Sequence, residues 1–390
     1  MLKGITKKIF FRLIGIVGLL KPWLRHRTPS IHVTVVGDLY SESGLGNVTR
    51  ALIKTLDGVV DYSVINLPMS VMSKQGDYQF GERETRQIRP GVTIFVGNPS
   101  ILLSAFLKLN PLEILANKTI GVWFWELEQI PRDWAVAGRL VDEVWAQSAF
   151  VAKAFAGARS RVVVMPFVVD ALSTQGYDRA HFGIPDKSFV FLMTFDYLSH
   201  VARKNPLAVL RAFKAEFGDD PSVLLVIKSV NKSRCADAAR EVASIIGASS
   251  NVLTIDDYLD RYELLSLMQV ADCYVSLHRS EGLGLGMAEA MALGTLVVAT
   301  GYSGNMDFMS ADNALLVDYT LKPVKSVEYP YASNNVWAEP LMASAQRQMR
   351  VARKSGSEMH ALIECARQGM AKYDTAHQQG WVANRLREFV

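Results

Sequence analysis

Two carboxylates, Glu281 and Glu289, stand eight residues apart in the segment His278-Arg279-Ser280-Glu281-Gly282-Leu283-Gly284-Leu285-Gly286-Met287-Ala288-Glu289-Ala290-Met291-Ala292-Leu293-Gly294. Three glycines separate them, and an Ala/Met/Leu-rich helix is expected to enclose the second. Ionised carboxylates accept hydroxyl hydrogen bonds that are stronger than neutral ones. Glycines let backbone N–H groups approach a ligand closely, and a helix start favours an anion. The pattern suits a phosphorylated, polyhydroxylated ligand, with amides for phosphate and carboxylates for hydroxyls. The plainer reading is tight-turn chemistry with a solvated Glu289. It is disfavoured because the glycines and both carboxylates coincide at one strand end. A dinucleotide fingerprint is the other rival, but 282–286 reads G-x-G-x-G, and the next strand ends in Thr300-Gly301 without an acid for a ribose.

Those residues need a strand before them and another after. Apolar, β-rich runs at 271–277 and 295–300 supply both, so the unit reads strand, glycine turn, short helix, strand. Similar runs recur at 31–37, 62–67, 92–97, 118–125 and 143–146, and again at 189–195, 222–230, 252–255, 273–277, 296–299 and 314–317. Helical segments alternate with them. That alternation predicts an α/β chain of two Rossmann-like doubly wound parallel sheets in tandem, with a boundary after Val162-Val163-Val164-Met165-Pro166. Open sheets of this kind bind ligands outside the carboxyl ends of their strands.

The 390 residues exceed one comfortable core, which again favours two domains, and 49% hydrophobic with 21% charged residues is ordinary globular composition. Three scattered cysteines, Cys235, Cys273 and Cys365, read as free thiols in a reducing cytosol. No His/Cys cluster has metal-ligand spacing, so no metal is expected. Basicity is local. Lys3, Lys7, Lys8, Arg12, Lys21, Arg25 and Arg27 precede the first acidic residue, Asp38, although the whole chain carries only +4. Apolar residues lie between these charges, but the uninterrupted stretch 13–20 is far short of the ~20 residues a spanning helix needs. A signal peptide fits in outline, yet no small-residue cleavage site follows. Residues 1–28 are therefore expected to lie on an anionic membrane surface, with a helix packed on the protein itself as the alternative. Nucleic acid is not an expected partner.

The motif Glu281-x7-Glu289 resembles the signature of the retaining GT-B glycosyltransferases of family 4. Further segments agree in order and spacing: Val35-Val36-Gly37-Asp38 leading to Ser43-Gly44-Leu45-Gly46-Asn47, then Arg203-Lys204-Asn205-Pro206 after Thr194-Phe195-Asp196. Gly301-Tyr302-Ser303-Gly304-Asn305 and Asn335-Val336-Trp337-Ala338-Glu339-Pro340 follow. The resemblance implies two domains facing a central cleft. These are an acceptor-side domain at 29–175, with a helix at 371–390 crossing back onto it, and a nucleotide-sugar-binding domain at 176–370.

It also implies roles. Glu281 falls against donor-sugar hydroxyls and Glu289 against the nucleotide ribose. Lys204 matches the diphosphate-binding lysine, where a cation offsets charge growing on the leaving group. The family's arginine just before that lysine is absent from Phe195-Asp196-Tyr197-Leu198, and either Arg203 or Arg279 replaces it. The loop Gly282, Leu283 and Gly284, together with Gly304 and Asn305, falls beside the phosphates. Gly44 and Gly46 open a helix near phosphates and acceptor. His278 and Lys228 are weaker donor-site candidates, each also readable as a strand-end residue satisfied internally. On the acceptor side, Trp125 and Glu126 end an apolar strand where many family members carry a histidine, and core packing is the equal alternative for the tryptophan.

The activity so implied is metal-independent transfer of a hexose, with retention, from a nucleotide-diphosphate sugar to a glycan or lipid-linked glycan. That fits a peripheral enzyme on the inner face of the cytoplasmic membrane, in lipopolysaccharide or exopolysaccharide assembly. The rivals are a nucleotide-sugar epimerase on the same fold and an inactive membrane-bound scaffold.

Overall fold

The computed structural model describes residue 21 and residues 31–68, 75–169, 174–354 and 356–389. Apart from Lys21, the expected membrane-associating segment lies outside the described residues. The chain divides into two units. Unit 1 runs to Val168 and takes in Tyr373–Val390, and unit 2 is Val169–Lys372.

Unit 1 is built on a six-stranded parallel sheet: β1 His32–Gly37, β2 Asp61–Asn66, β3 Val92–Gly97, β4 Lys118–Trp123, β5 Glu143–Ala146 and β6 Arg161–Val164. Its strand order is β2-β1-β3-β4-β5-β6. The strands β1 and β3 (HVTVVG and VTIFVG) are buried throughout, which is why they read as largely apolar runs rather than as apolar residues alternating with exposed charges. The order reverses direction between β1 and β3, so the crevice at their carboxyl ends is this unit's topological switch point. The helix Thr375–Arg387 belongs to this unit. It places Val382 and Leu386 in the same core as Val33, Val35 and Val122. Trp381 packs edge-on against Trp145, with ring centroids 5.0 Å apart. Arg385 forms a bidentate pair with the buried Glu143, its Nε 2.8 Å from Oε2.

Unit 2 repeats the plan with β7 Phe189–Asp196, β8 Val223–Val230, β9 Val252–Ile255, β10 Cys273–Ser276, β11 Leu296–Thr300 and β12 Leu315–Val317, in the order β12-β11-β10-β7-β8-β9. Here the switch point lies between β7 and β10. Behind the sheet, the core joins Phe191, Leu225 and Val275 to Val209 and Phe213 of the helix Pro206–Phe217. One element differs from the sequence expectation. Residues after β12 form an antiparallel hairpin, β13 Tyr319–Pro323 and β14 Val336–Pro340. Most of β13 is exposed, so it lacks the apolar run that marks the buried strands.

Candidate active site

The switch point of unit 2 gathers three of the expected residues. Glu281 lies in the loop between β10 and the helix Leu285–Ala292. Arg203 and Lys204 close the short helix Val201–Lys204 that follows β7. Asn205 ends that helix in the left-handed region (φ 57°), and its Nδ2 donates to Leu277 O at 3.0 Å, tying the β7 loop to the β10 loop. Glu281 Oε2 then meets Arg203 Nη1 at 2.8 Å, and Oε1 meets Lys204 Nζ at 2.6 Å. Arg203 also donates to Ser280 O at 3.0 Å and Ser199 O at 3.2 Å. Burial works to raise the Glu281 pKa, but Arg203 and Lys204 outweigh it and bring it down to about 2. The carboxylate is therefore ionised, with spare lone pairs for hydroxyl donors.

The loop's shape is set by its neighbour. Ser303 Oγ accepts from the Glu281 amide at 2.8 Å, and the Gly304 amide donates to Glu281 O at 2.9 Å. A Cβ at position 304 would run into Gly282 O, so this approach requires glycine. Gly284, at φ 93°, adopts the left-handed turn that starts the helix, where Leu283 beside it is buried. Glu289 sits in the second turn of that helix and is 4% exposed. Its Oε1 accepts from Arg261 Nη2 at 2.6 Å. Arg261 opens the helix Arg261–Val270, whose Asp260/Glu263 capping box fixes its start. Sequence reasoning missed Arg261. The capping box was readable, but nothing local indicates which carboxylate a first-turn arginine will meet.

Four further candidates, His278, Asn305, Arg279 and Lys228, have internal partners for their polar atoms. His278 is 0% exposed; its Nε2 lies 3.1 Å from Tyr302 O and so carries the proton, while Nδ1 accepts from Ser276 Oγ at 3.0 Å. Burial lowers its pKa and keeps it neutral. Asn305 is buried under it, with Nδ2 donating to Thr300 O at 3.0 Å. Arg279 is held bidentately by Glu339 at 2.8 and 3.1 Å and donates to Ala202 O at 2.7 Å, with its guanidinium over the Trp337 ring. It braces the β13–β14 hairpin. Of the two arginines proposed to accompany Lys204, Arg203 is thus the one beside Glu281. Lys228 donates to Ser229 O and Asp257 O at 2.9 and 2.8 Å, and burial lowers its pKa.

In unit 1, Gly44 and Gly46 open the helix Gly44–Lys54 at the β1/β3 switch point, with Ser43 as cap. A Cβ on Gly46 would strike Ser41 O, so this position is confined to glycine, whereas Gly44 has open space. Arg50 holds the loop from inside by donating to Leu39 O and Ser41 O at 2.7 and 2.9 Å. Trp125 is core: it packs on Trp134 with centroids 4.8 Å apart and donates to Gln129 O at 3.0 Å. Glu126 beside it is partly exposed.

A doubly wound unit whose switch point offers an ionised carboxylate, a partly exposed lysine and a second buried carboxylate on a helix is equipped to hold a sugar phosphate. Residues 178–322 match the family model described as Glycosyl transferases group 1. On that match and the two-unit α/β fold of the GT-B class, the chain is a glycosyltransferase. Solved structures with the same fold include HepE of Anabaena in complex with UDP and glucose. It is 14% identical, covering 92% of this chain and 100% of that one, with a TM-score of 0.66. An α,α-trehalose-phosphate synthase (UDP-forming) from Burkholderia vietnamiensis matches at 10% identity over 93% and 100%, TM-score 0.64. The pneumococcal O-GlcNAc transferase GtfA, in complex with UDP and GlcNAc, matches at 14% over 81% and 61%, TM-score 0.55. No curated protein matches the chain.

Proposed function

We propose that this protein is a retaining hexosyltransferase that draws on a nucleoside-diphosphate sugar, of the UDP type that the structural neighbours hold. The observation that carries the reading is the buried, ionised Glu281 clamped by Arg203 and Lys204 at the β7/β10 switch point. In this scheme Glu281 accepts donor-sugar hydroxyls and Glu289 accepts ribose hydroxyls. Lys204, whose side chain is one quarter exposed at 26%, turns its remaining N–H donors to the diphosphate. Two carboxylates flanking an anomeric carbon, as in retaining hydrolases, are not part of the scheme. The bond from the anomeric carbon to the diphosphate breaks, and the acceptor oxygen bonds to that carbon on the same face. The acceptor's proton passes to the departing diphosphate. Metal independence belongs to the proposal and is checked by activity in excess EDTA.

For the acceptor we propose a glycan or lipid-linked glycan at the inner membrane surface, on the strength of the basic residues 1–27. Lys21 is not among the membrane-facing charges. It is buried in unit 1, 2.7 Å from Asp142 and 2.9 Å from Leu140 O. Among the described residues no helix is long and apolar enough to cross a membrane.

The test is a panel of nucleotide sugars incubated with the full chain, following nucleoside-diphosphate release. UDP-hexose turnover is expected, raised by an acceptor glycan and cut by two or more orders of magnitude in Lys204→Ala. Wild-type release in that variant would overturn the assignment. Isomerised donor without released diphosphate would favour the epimerase, and a chain starting at Pro29 that still sediments with membranes would remove the membrane role assigned to residues 1–27.

A further inference from the structure

A second polar site lies in unit 1, on the sheet edge opposite the carboxyl ends of its strands. The loop leading into β5 and the loop leading into β6 enclose a depression of about 340 Å³, lined by Gly138, Arg139, Asp142, Arg159, Ser160 and Arg161 among others. The two loops pack closely: a Cβ on Gly138 would lie 3.0 Å from Ala158 Cβ and 3.3 Å from Arg159 N.

The charge around this depression is unbalanced. Asp142 is its one lining carboxylate, and Oδ2 of that residue is taken by Lys21 Nζ at 2.7 Å and the Thr119 amide at 2.8 Å. Arg161 reaches Glu143 only at 3.8 Å and Glu388 at 3.4 Å. Both of those carboxylates are already engaged by Arg385, so they do little to offset Arg161. Among the described residues the side chains of Arg139 and Arg159 have no ion-pair or hydrogen-bond partner, and the Ser160 hydroxyl is buried without one. Three guanidinium forks and an unsatisfied O–H donor around one depression match the oxygens of a phosphate group, which arginine binds in paired hydrogen bonds.

We infer that the Arg139/Arg159/Arg161/Ser160 depression binds a phosphate-bearing anion, whether an anionic phospholipid headgroup or a free phosphate ester. Lys21 joins its wall to the amino-terminal segment that carries the other basic residues. The site is independent of the sugar-nucleotide reading, because none of its residues belongs to unit 2.

The test compares the full chain with Arg139→Gln/Arg159→Gln and with Ser160→Ala, in two arms. One titrates inorganic phosphate against chloride at matched ionic strength and reads the melting temperature. The other measures partition onto phosphatidylglycerol vesicles against phosphatidylcholine vesicles. A phosphate-dependent rise of a few degrees that the variants lose identifies a free phosphate site. No such rise, with vesicle affinity about tenfold lower in the double variant, identifies a headgroup site. Variants indistinguishable from the parent in both arms overturn the inference. Should the double variant melt early in chloride alone, the single exposed change Arg159→Gln carries the same comparison.

Discussion

Lys204 Nζ lies 2.6 Å from Glu281 Oε1, a partly exposed cation against a buried carboxylate whose other oxygen faces the buried Arg203. The two partners therefore separate stability from catalysis. Glu281→Gln leaves Arg203 without its counter-charge and is expected to cost about 3 kcal/mol, as for a broken buried pair. Lys204→Met leaves Glu281 its Arg203 partner and should cost less than the Glu281 change, while cutting donor turnover at least a hundredfold. Urea unfolding and diphosphate release, measured on both variants, check the split.

The same carboxylate predicts an acid limb. Its folded pKa of about 2 lies below the ordinary value of 4.5, so the unfolded chain binds the proton first. The contribution is whole above about pH 5 and is lost as pH falls from 4.5 toward 2, amounting to about 3 kcal/mol. His278 adds to this from a higher pH. Burial lowers its pKa from 6.5, so the folded state loses ground as pH drops below that value. Stability measured between pH 7 and 3 should fall less steeply in Glu281→Gln than in the parent.

Arg261 and Glu289 form the second pair, at 2.6 Å. Glu289→Ala is expected to cut turnover by two or more orders of magnitude through loss of ribose contact, with the fold intact by circular dichroism. Arg261→Met keeps the carboxylate but frees its orientation, so it should raise the donor KM severalfold with kcat nearly unchanged. Equal effects on KM and kcat would argue that Arg261 does more than position Glu289.

Gly304→Ala tests the close approach of two loops, since the added Cβ would meet Gly282 O. Backbone must shift, and a loss of about 1–3 kcal/mol follows. Because Gly304 N also donates to Glu281 O, donor turnover should drop along with the melting temperature.

Trp125 distinguishes packing from acceptor contact. Trp125→Ala should lose about 3–5 kcal/mol, as for a buried aromatic, while Trp125→Phe retains most of the stability and most of the transfer rate. A Phe variant with intact melting but abolished transfer would return this side chain to the acceptor site.

The strands were legible because parallel strands buried on both faces read as largely apolar, β-branched runs, as in β3 and the first five residues of β8. The hairpin was not, since β13 is mostly exposed and carries Thr320 and Lys322 among its apolar residues. At the site, spacing singled out Glu281 and Glu289, and both are buried carboxylates paired to cations. The surroundings of His278, Arg279, Asn305 and Lys228 did not follow from spacing, because their hydrogen-bond partners lie elsewhere in the chain. Arg279 finds Glu339 sixty positions on, and His278 finds Tyr302 O. A polar residue at a strand end looks alike whether it faces a ligand or a neighbouring loop.

The pairing of Arg385 with Glu143, and of Trp381 with Trp145, bears on biosynthesis. These partners reach the ribosome exit only after the whole of Val169–Lys372 has been made. Until then the β5 carboxylate lacks its guanidinium and one tryptophan face stays wet. The amino-terminal half must wait, incomplete and prone to self-association, for a module synthesised in between to emerge first.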